Sequence, residues 1–180
     1  LNNEITIGIL GVGYIGGFIG KNLKKLNYQI VGYKNSPISK EISFPIFNIA
    51  EKNNFIKRSD IIISILPSTN ETKDFINKSF LNKMKKKSLL INIGRGNSIN
   101  EDDLVKHVNA HKNFYISLDV FKKEPLTKNH QFWKHPNITL TPHIAAITDM
   151  NSAIEYIHLK LSKYLNGEKI KNDVNLKKGY

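Results

Sequence analysis

The run ITIGILGVGYIGGFIGKNLKKL, residues 5–26, constrains the fold more than any other part of the chain. Ile5-Thr6-Ile7-Gly8-Ile9-Leu10 is short, apolar and β-branched, the pattern of a buried strand. Gly11, Gly13 and Gly16 follow at G-x-G-x-x-G spacing, and from Tyr14 the periodicity turns helical. Phe18, Ile19, Leu23 and Leu26 are expected on the buried face of that helix, with Lys21, Asn22, Lys24 and Lys25 largely outward. In a strand–turn–helix unit each glycine has its own task. Gly11 permits the tight turn, Gly13 lets a pyrophosphate approach the backbone, and Gly16 lets the helix pack close to the sheet. The helix N-terminus then presents unpaired N–H groups and a positive dipole end to the phosphates. The spacing alone would also suit a turn that only packs a helix on a sheet. Its place between strand and helix favours the nucleotide site.

The remaining chain repeats the alternation. Residues 28–33 form a second expected strand, 34–40 a loop with Pro37, 44–47 a short strand and 49–57 a short helix. Residues 61–66 are continuously apolar, as a parallel strand covered on both faces requires. Helices are expected at 71–77, from Ser79 to Met84, at 101–110 with Asn100 as cap, and at 151–165; strands at 88–93, 114–120 and 138–141. Strands alternating with helices mean an α/β fold with a parallel sheet.

Composition narrows the function classes. The 180 residues carry a formal net charge of +12, which invites a nucleic-acid reading. Yet all but two of the basic residues, Arg58 and Arg95, are lysines spread along the chain. The densest run, Lys85-Lys86-Lys87, has no aromatic residues interleaved for base stacking. A joint abundance of Ile, Lys and Asn fits a biased genome better than a polyanion partner, so no nucleic acid is expected. No stretch has the length and apolarity of a membrane span or the pattern of a signal peptide, so no membrane association is expected. With no cysteine there is no thiolate metal site or disulfide; no metal is expected, and a cytoplasmic setting is.

In open α/β sheets ligands bind beyond the carboxyl ends of strands. Reading off those ends gives the glycines, Lys34-Asn35-Ser36, Pro67-Ser68-Thr69, Gly94-Arg95-Gly96, Asp119 with Glu124-Pro125, and Thr141-Pro142-His143. One arginine, two acids and one histidine therefore converge on one edge, a set suited to carbonyl reduction. Arginine grips a carboxylate or carbonyl, histidine donates a proton as the alkoxide develops, and a carboxylate beside it keeps the imidazole cationic. Arg95 could instead be a solvated turn residue, Glu124 a loop acid and Asp119 a helix cap. His107, His111, His130, His135 and His158 fall on helices or polar loops and are read as structural or solvated; only His143 follows a strand end.

The same segments resemble the cofactor-binding domain of the D-isomer-specific 2-hydroxyacid dehydrogenases: GVGYIG (11–16), INIGRGNSINEDDL (91–104), SLDVFKKEPL (117–126) and FWKHPNITLTPHIAA (132–146). Within that family ILPSTNET (65–72), TPHIAAIT (141–148) and KKGY (177–180) are most similar to the glyoxylate/hydroxypyruvate reductases. The resemblance covers nearly the whole chain. It implies a Rossmann-type doubly wound parallel sheet in three layers, α/β/α, and an NAD(P)H-dependent reductase of small 2-oxoacids. Carried over by residue, it puts the catalytic roles on Arg95, Glu124 and the acid–base His143. Backbone at Gly11, Gly13, Tyr14, Ile15 and Gly16 would meet the pyrophosphate. Leu66 and Pro67 would line the adenosine side and Asp119 would sit near the nicotinamide carboxamide. Ile93, Gly94, Arg95, His143 and Ala145 would complete the cofactor contacts.

The resemblance also implies a division into a dinucleotide-binding domain at 1–150 and a C-terminal helix and tail at 151–180. In the family an N-terminal segment folds with the C-terminal end into a substrate domain. This chain opens at Leu1, a few residues before its first strand, so an excised domain is expected that binds cofactor and turns over little alone. A homodimer is the expected assembly. The competing class is a non-catalytic Rossmann module for nucleotide sensing or dimerisation, which would need none of Arg95, Glu124 and His143. Cofactor choice is read at the second strand's end. An NAD site places an acid there about 20 residues past the glycines, whereas Tyr33 is followed by Lys34, Asn35 and Ser36. NADP(H) is expected to be preferred, with NAD(H) possible, while Lys34 as one more solvent-facing lysine is the plain alternative.

Overall fold

A computed structural model describes residues 1–35 and 42–170. The chain divides by contacts after His143, and the first unit holds the sheet. Its strands are β1 (Thr6–Leu10), β2 (Gln29–Tyr33), β3 (Ile46–Phe47), β4 (Ile61–Ser64), β5 (Ser88–Asn92), β6 (Phe114–Leu118) and β7 (Ile138–Leu140). Among the described residues they form one sheet in the order β3-β2-β1-β4-β5-β6-β7, every pair parallel. The order reverses at β1, which opens a crevice at the carboxyl end of that strand, where the glycines stand.

Side chains alternate across β1, and each face has its own core. Ile7 and Ile9 join Val12, Ile30, Phe44 and Ile63 on one side. This is the side of α1 (Tyr14–Lys25), whose Ile19 and Leu23 pack on that cluster. Leu10 joins the larger core on the other side with Phe55 and Ile56 of α2 (Lys52–Arg58), Phe80 and Leu81 of α3 (Lys78–Leu81), and Leu104 and Val108 of α4 (Glu101–Ala110). Helices on two faces of a parallel sheet make the doubly wound, three-layer α/β/α arrangement. α4 starts as its sequence predicts: the Asn100 side chain accepts from the Asp103 N–H, and three acids fill the first turn. The second unit, from Ile144, contains α5 (Met150–Leu165), capped by the Asp149 carboxylate, which accepts from the Ser152 N–H.

Two sequence expectations give way. No helix forms over 71–77; residues 70–74 are turns and Ile76 makes a single parallel bridge to Ile99. The Thr72 hydroxyl donates to the Pro67 carbonyl at 2.6 Å and accepts from the Thr69 N–H, while Asp74 adopts φ 50°. Short polar side chains have taken the backbone partners a helix would use. On α1 the buried face is Gly16 and Gly20 rather than Phe18 and Leu26, which are 65% and 57% exposed. A Cβ on Gly20 would lie 2.5 Å from the Phe44 ring, so the helix rides close on its glycines, with Ile19 and Leu23 packed beside them and Phe18 and Leu26 turned outward. Ser36 and the KKGY segment, 177–180, lie outside the described residues.

His107 makes fold stability pH-dependent. It is buried on α4, stacked on His111 at 4.2 Å between ring centroids and edge-on to Phe114 at 4.6 Å. Burial, reinforced by the His111 charge, lowers its pKa from 6.5 to about 4. The folded state therefore refuses a proton that the unfolded chain accepts. Stability is complete above about pH 6.5 and falls toward pH 4 with a slope of up to about 1.4 kcal/mol per pH unit. Urea midpoints measured between pH 7.5 and 4.5 should show this decline, and His107→Phe should flatten it.

Candidate active site

The turn after β1 brings the backbone into the crevice. Gly11 takes φ 104°, a conformation open to glycine, and a Cβ there would stand 3.0 Å from the Ile65 carbonyl. Gly16 is equally constrained, since a Cβ would collide with the Gly11 carbonyl oxygen. Gly13, the N-cap of α1, differs: a Cβ would meet nothing within 4 Å. Space is therefore kept in front of the first turn of a twelve-residue helix, whose early amides have no partner within the helix. Tyr14 and Ile15 are exposed beside it. This fits a pyrophosphate on the amide cluster.

Neighbouring strand ends surround the crevice. At the end of β2, the Lys34 N–H donates to the Phe47 carbonyl at 3.1 Å, fixing the backbone where an acid would serve a ribose. Tyr33 is buried there; burial pushes its phenol pKa up, with the Asn35 side chain acting against the rise. Beyond β4, Leu66 is buried and Pro67 is held by Thr72. Gly94 lies against this turn, where a Cβ would stand 2.6 Å from the Leu66 carbonyl oxygen. Gly96 presses so closely on the Phe121 backbone that a Cβ has no room. Ile93 is half-buried before them, and Arg95, between the two glycines, projects outward, its guanidinium donating to the Gly94 carbonyl at 2.8 Å.

The acids and the histidine meet on the next two strand ends. Asp119 is buried after β6, and the Thr141 hydroxyl donates to its Oδ1 at 2.5 Å. Glu124 accepts from the Phe121 N–H at 2.9 Å through Oε1 and faces His143 Nδ1 at 2.6 Å through Oε2. That amide, above all, holds the Glu124 pKa below its ordinary value against partial desolvation; the His143 hydrogen bond and the His143 and Arg95 charges add to the lowering. An ionised carboxylate on Nδ1 fixes the tautomer so that Nδ1 carries hydrogen and Nε2 points away from the pair. His143 has φ 55°, a left-handed backbone that turns its ring toward Glu124. Both side chains stay partly exposed, 48% and 35%, beside a cavity of about 550 Å³ walled by Phe121, Leu126, Trp133 and Leu140.

Sequence reasoning therefore named groups that the fold gathers: the glycine turn, Lys34, Leu66, Pro67, Arg95, Asp119, Glu124 and His143 share the carboxyl edge of one sheet. Ala145 belongs to the second unit and Ser36 to the undescribed residues. It missed Thr141 as the partner of Asp119, although Thr141 stands in the same TPH triplet as His143. The other sheet-unit histidines are used structurally. His111 contacts the His107 carbonyl, His130 caps the turn at Phe132, and His135 contacts Asn109. Among the described residues no group of three His, Asp or Glu could hold a metal, and no helix is long and apolar enough to cross a membrane.

Comparisons with known proteins agree with this geometry. A family model, D-isomer specific 2-hydroxyacid dehydrogenase, NAD binding domain, matches residues 2–145. Glyoxylate/hydroxypyruvate reductase A of Citrobacter koseri is 33% identical over 178 residues, covering 99% of this chain and 57% of that protein. The chain thus spans little more than half the length of the curated relatives it matches. An NADPH-dependent glyoxylate/hydroxypyruvate reductase from Sinorhizobium meliloti, solved with NADP and sulfate, superposes at TM-score 0.91 with 26% identity, covering 99% of this chain and 58% of that one. A D-isomer specific 2-hydroxyacid dehydrogenase from Xanthobacter autotrophicus, solved with NADPH, superposes at TM-score 0.92 with 27% identity, covering 99% and 74%.

The glycines separate binding from folding. Gly13→Val places a branched side chain in open space at φ −99°, so the fold should survive while dinucleotide binding is lost. Gly16→Val should fail to fold, because its Cβ meets the Gly11 carbonyl. Circular dichroism and fluorescence titration with NADP⁺ check both. Unimpaired binding by Gly13→Val would move the site elsewhere.

Proposed function

The chain belongs to the D-isomer-specific 2-hydroxyacid dehydrogenase family, and from that premise we propose that it serves reduction of a small 2-oxoacid, glyoxylate or hydroxypyruvate, at the expense of NADPH. One observation carries the reading: a histidine whose Nδ1 is held at 2.6 Å by a carboxylate, on the same sheet edge as an arginine and a nucleotide-type glycine turn. A module that only senses a nucleotide has no use for the first two.

The reduced nicotinamide, when bound, supplies a hydride for the 2-oxo carbon. Around that step the chain's own residues have separate tasks. Gly13, Tyr14 and Ile15 offer amides to the pyrophosphate, Leu66 and Pro67 flank the adenosine, and Ile93 and Gly94 lie along the cofactor. Asp119, held by Thr141, would accept from the carboxamide of a bound nicotinamide. Arg95 grips the substrate carboxylate or carbonyl through its fork of donors. His143 donates the Nε2 proton to the carbonyl oxygen as charge develops there, and Glu124 keeps the ring oriented for it. Residues 1–150 form the cofactor-binding domain in this reading. Residues 151–180 return to a substrate domain that supplies the remaining walls and excludes water. A cytoplasmic homodimer is the assembly proposed.

Selectivity for NADPH follows from the end of β2. Lys34 stands where a carboxylate would accept from a ribose 2′-hydroxyl and repel a 2′-phosphate. Asn35 and Ser36 extend the donor set. NADP in the Sinorhizobium reductase and NADPH in the Xanthobacter dehydrogenase support the reading.

Two measurements test these roles. In the protein turning over hydroxypyruvate, His143→Ala should lower kcat by roughly 10²–10⁴, the usual cost of losing a general acid. Its affinity for NADP⁺ should fall far less than kcat, and rates close to the unmodified protein across the pH range would remove His143 from the chemistry. For the cofactor, NADP⁺ should bind more tightly than NAD⁺ at low salt, with the gap narrowing as salt rises and screens Lys34. Equal or tighter NAD⁺ binding at low salt would contradict the assignment.

A further inference from the structure

Asn92 closes β5 with its side chain wholly buried. In the register of the sheet it stands in one row with Tyr33, Leu10, Ser64 and Leu118, so all five side chains leave the same face. An amide in such a row is costly unless both its ends are used. Here they are. Oδ1 accepts from the Gly94 N–H at 3.2 Å, and Nδ2 donates to the Arg95 carbonyl at 3.2 Å. The Ser98 hydroxyl donates to the same carbonyl at 2.7 Å.

These bonds fall on either side of Arg95. The peptide before Gly94 is held by Oδ1 and the peptide after Arg95 by Nδ2 and Ser98; the Arg95 guanidinium itself takes the carbonyl between them, that of Gly94, at 2.8 Å. Three successive peptide groups are thereby fixed. The glycines on each side lie close against Leu66 and Phe121, and the Asn92 bonds turn the peptides between those two contacts. The backbone carbonyl of Asn92 also accepts from the Asp119 N–H at 3.0 Å. One residue therefore supports both the arginine and the buried acid.

We propose that Asn92 is the positioning residue for Arg95, setting the direction from which the guanidinium meets an anionic substrate; this rests on the reading of Arg95 as the substrate-gripping group. The chemistry selects asparagine. Aspartate keeps the acceptor for Gly94 but loses the donor and buries a charge, alanine loses both, and glutamine is one methylene too long for both bonds together.

The two arginines of the chain make the test direct. With ¹⁵N-arginine label, Arg95 and Arg58 give one Nε–H resonance each, and Arg58 on α2 is the internal control. In Asn92→Ala and Asn92→Asp the Arg95 resonance should shift and lose order while that of Arg58 stays. Oxalate, a planar analogue of the 2-oxoacids, should bind the chain–NADP⁺ complex about tenfold or more weakly, whereas NADP⁺, whose neighbour Gly94 is also held by its packing on Leu66, should weaken less than about threefold. An unmoved Arg95 resonance in a folded variant overturns the proposal, as does equal weakening of both ligands, the mark of a merely structural residue. Should the Asn92 variants not fold, Ser98→Ala removes one donor from the same carbonyl. It should shift Arg95 in the same way, and no shift there also overturns the proposal. Failure of the unmodified chain to bind oxalate would count against Arg95 as the gripping group, while its resonance still decides what positions it.

Discussion

Two backbone-to-backbone contacts hold the candidate site together. Gly94 lies against the Leu66 turn and Gly96 against the peptide after Phe121, each closer than any side chain would permit. Through them the loop after β5 wedges between the loop after β4 and the loop carrying Glu124. Hydrogen bonds then fill in around the wedge: Asn97 to Ser68 at 2.6 Å on one flank, and the Lys122 ammonium to Asp74 at 2.7 Å on the other. Loops from strands distant in sequence are thus locked by main-chain shape, which does not depend on rotamers. Arg95 and Glu124 inherit their relative placement from it.

Glu124 shows how electrostatics builds on that frame. Its strongest partner is an amide in its own loop, so its charge is stabilised before His143 arrives. A carboxylate anchored at Oε1 has Oε2 fixed in direction, and the imidazole is oriented by a group that is itself immobile. The cost of ordering the histidine is largely met by the loop. Asp119 repeats the scheme with Thr141.

Most of the fold was legible because strand, turn and helix signals agree over 5–26 and the later strands are apolar runs with clear ends. The carboxyl-edge rule places Arg95, Glu124 and His143 on one side of the sheet from the sequence alone. The failures share a physical cause. At 71–77 the helical pattern lost to Thr72 and Thr69, whose hydroxyls satisfy the backbone locally. On α1 the apolar stripe named Phe18 and Leu26, but the separation of helix and sheet is set by Gly16 and Gly20, and small residues carry no weight in a hydrophobicity pattern. Asn92 was invisible for a related reason: inside the expected strand 88–93 it counts as one more strand residue until its two side-chain bonds are located.

The left-handed backbone at His143 restricts what can ever replace it. Asparagine, aspartate and histidine tolerate φ near 55°, whereas β-branched residues resist it. Drift at this position is therefore confined to a few residue types by conformation alone, before any demand of chemistry is applied. Among those types histidine alone can exchange a proton near neutral pH. An asparagine there would leave the chain path intact with the imidazole gone. Such a copy of the chain would keep its shape while losing the imidazole that faces Glu124.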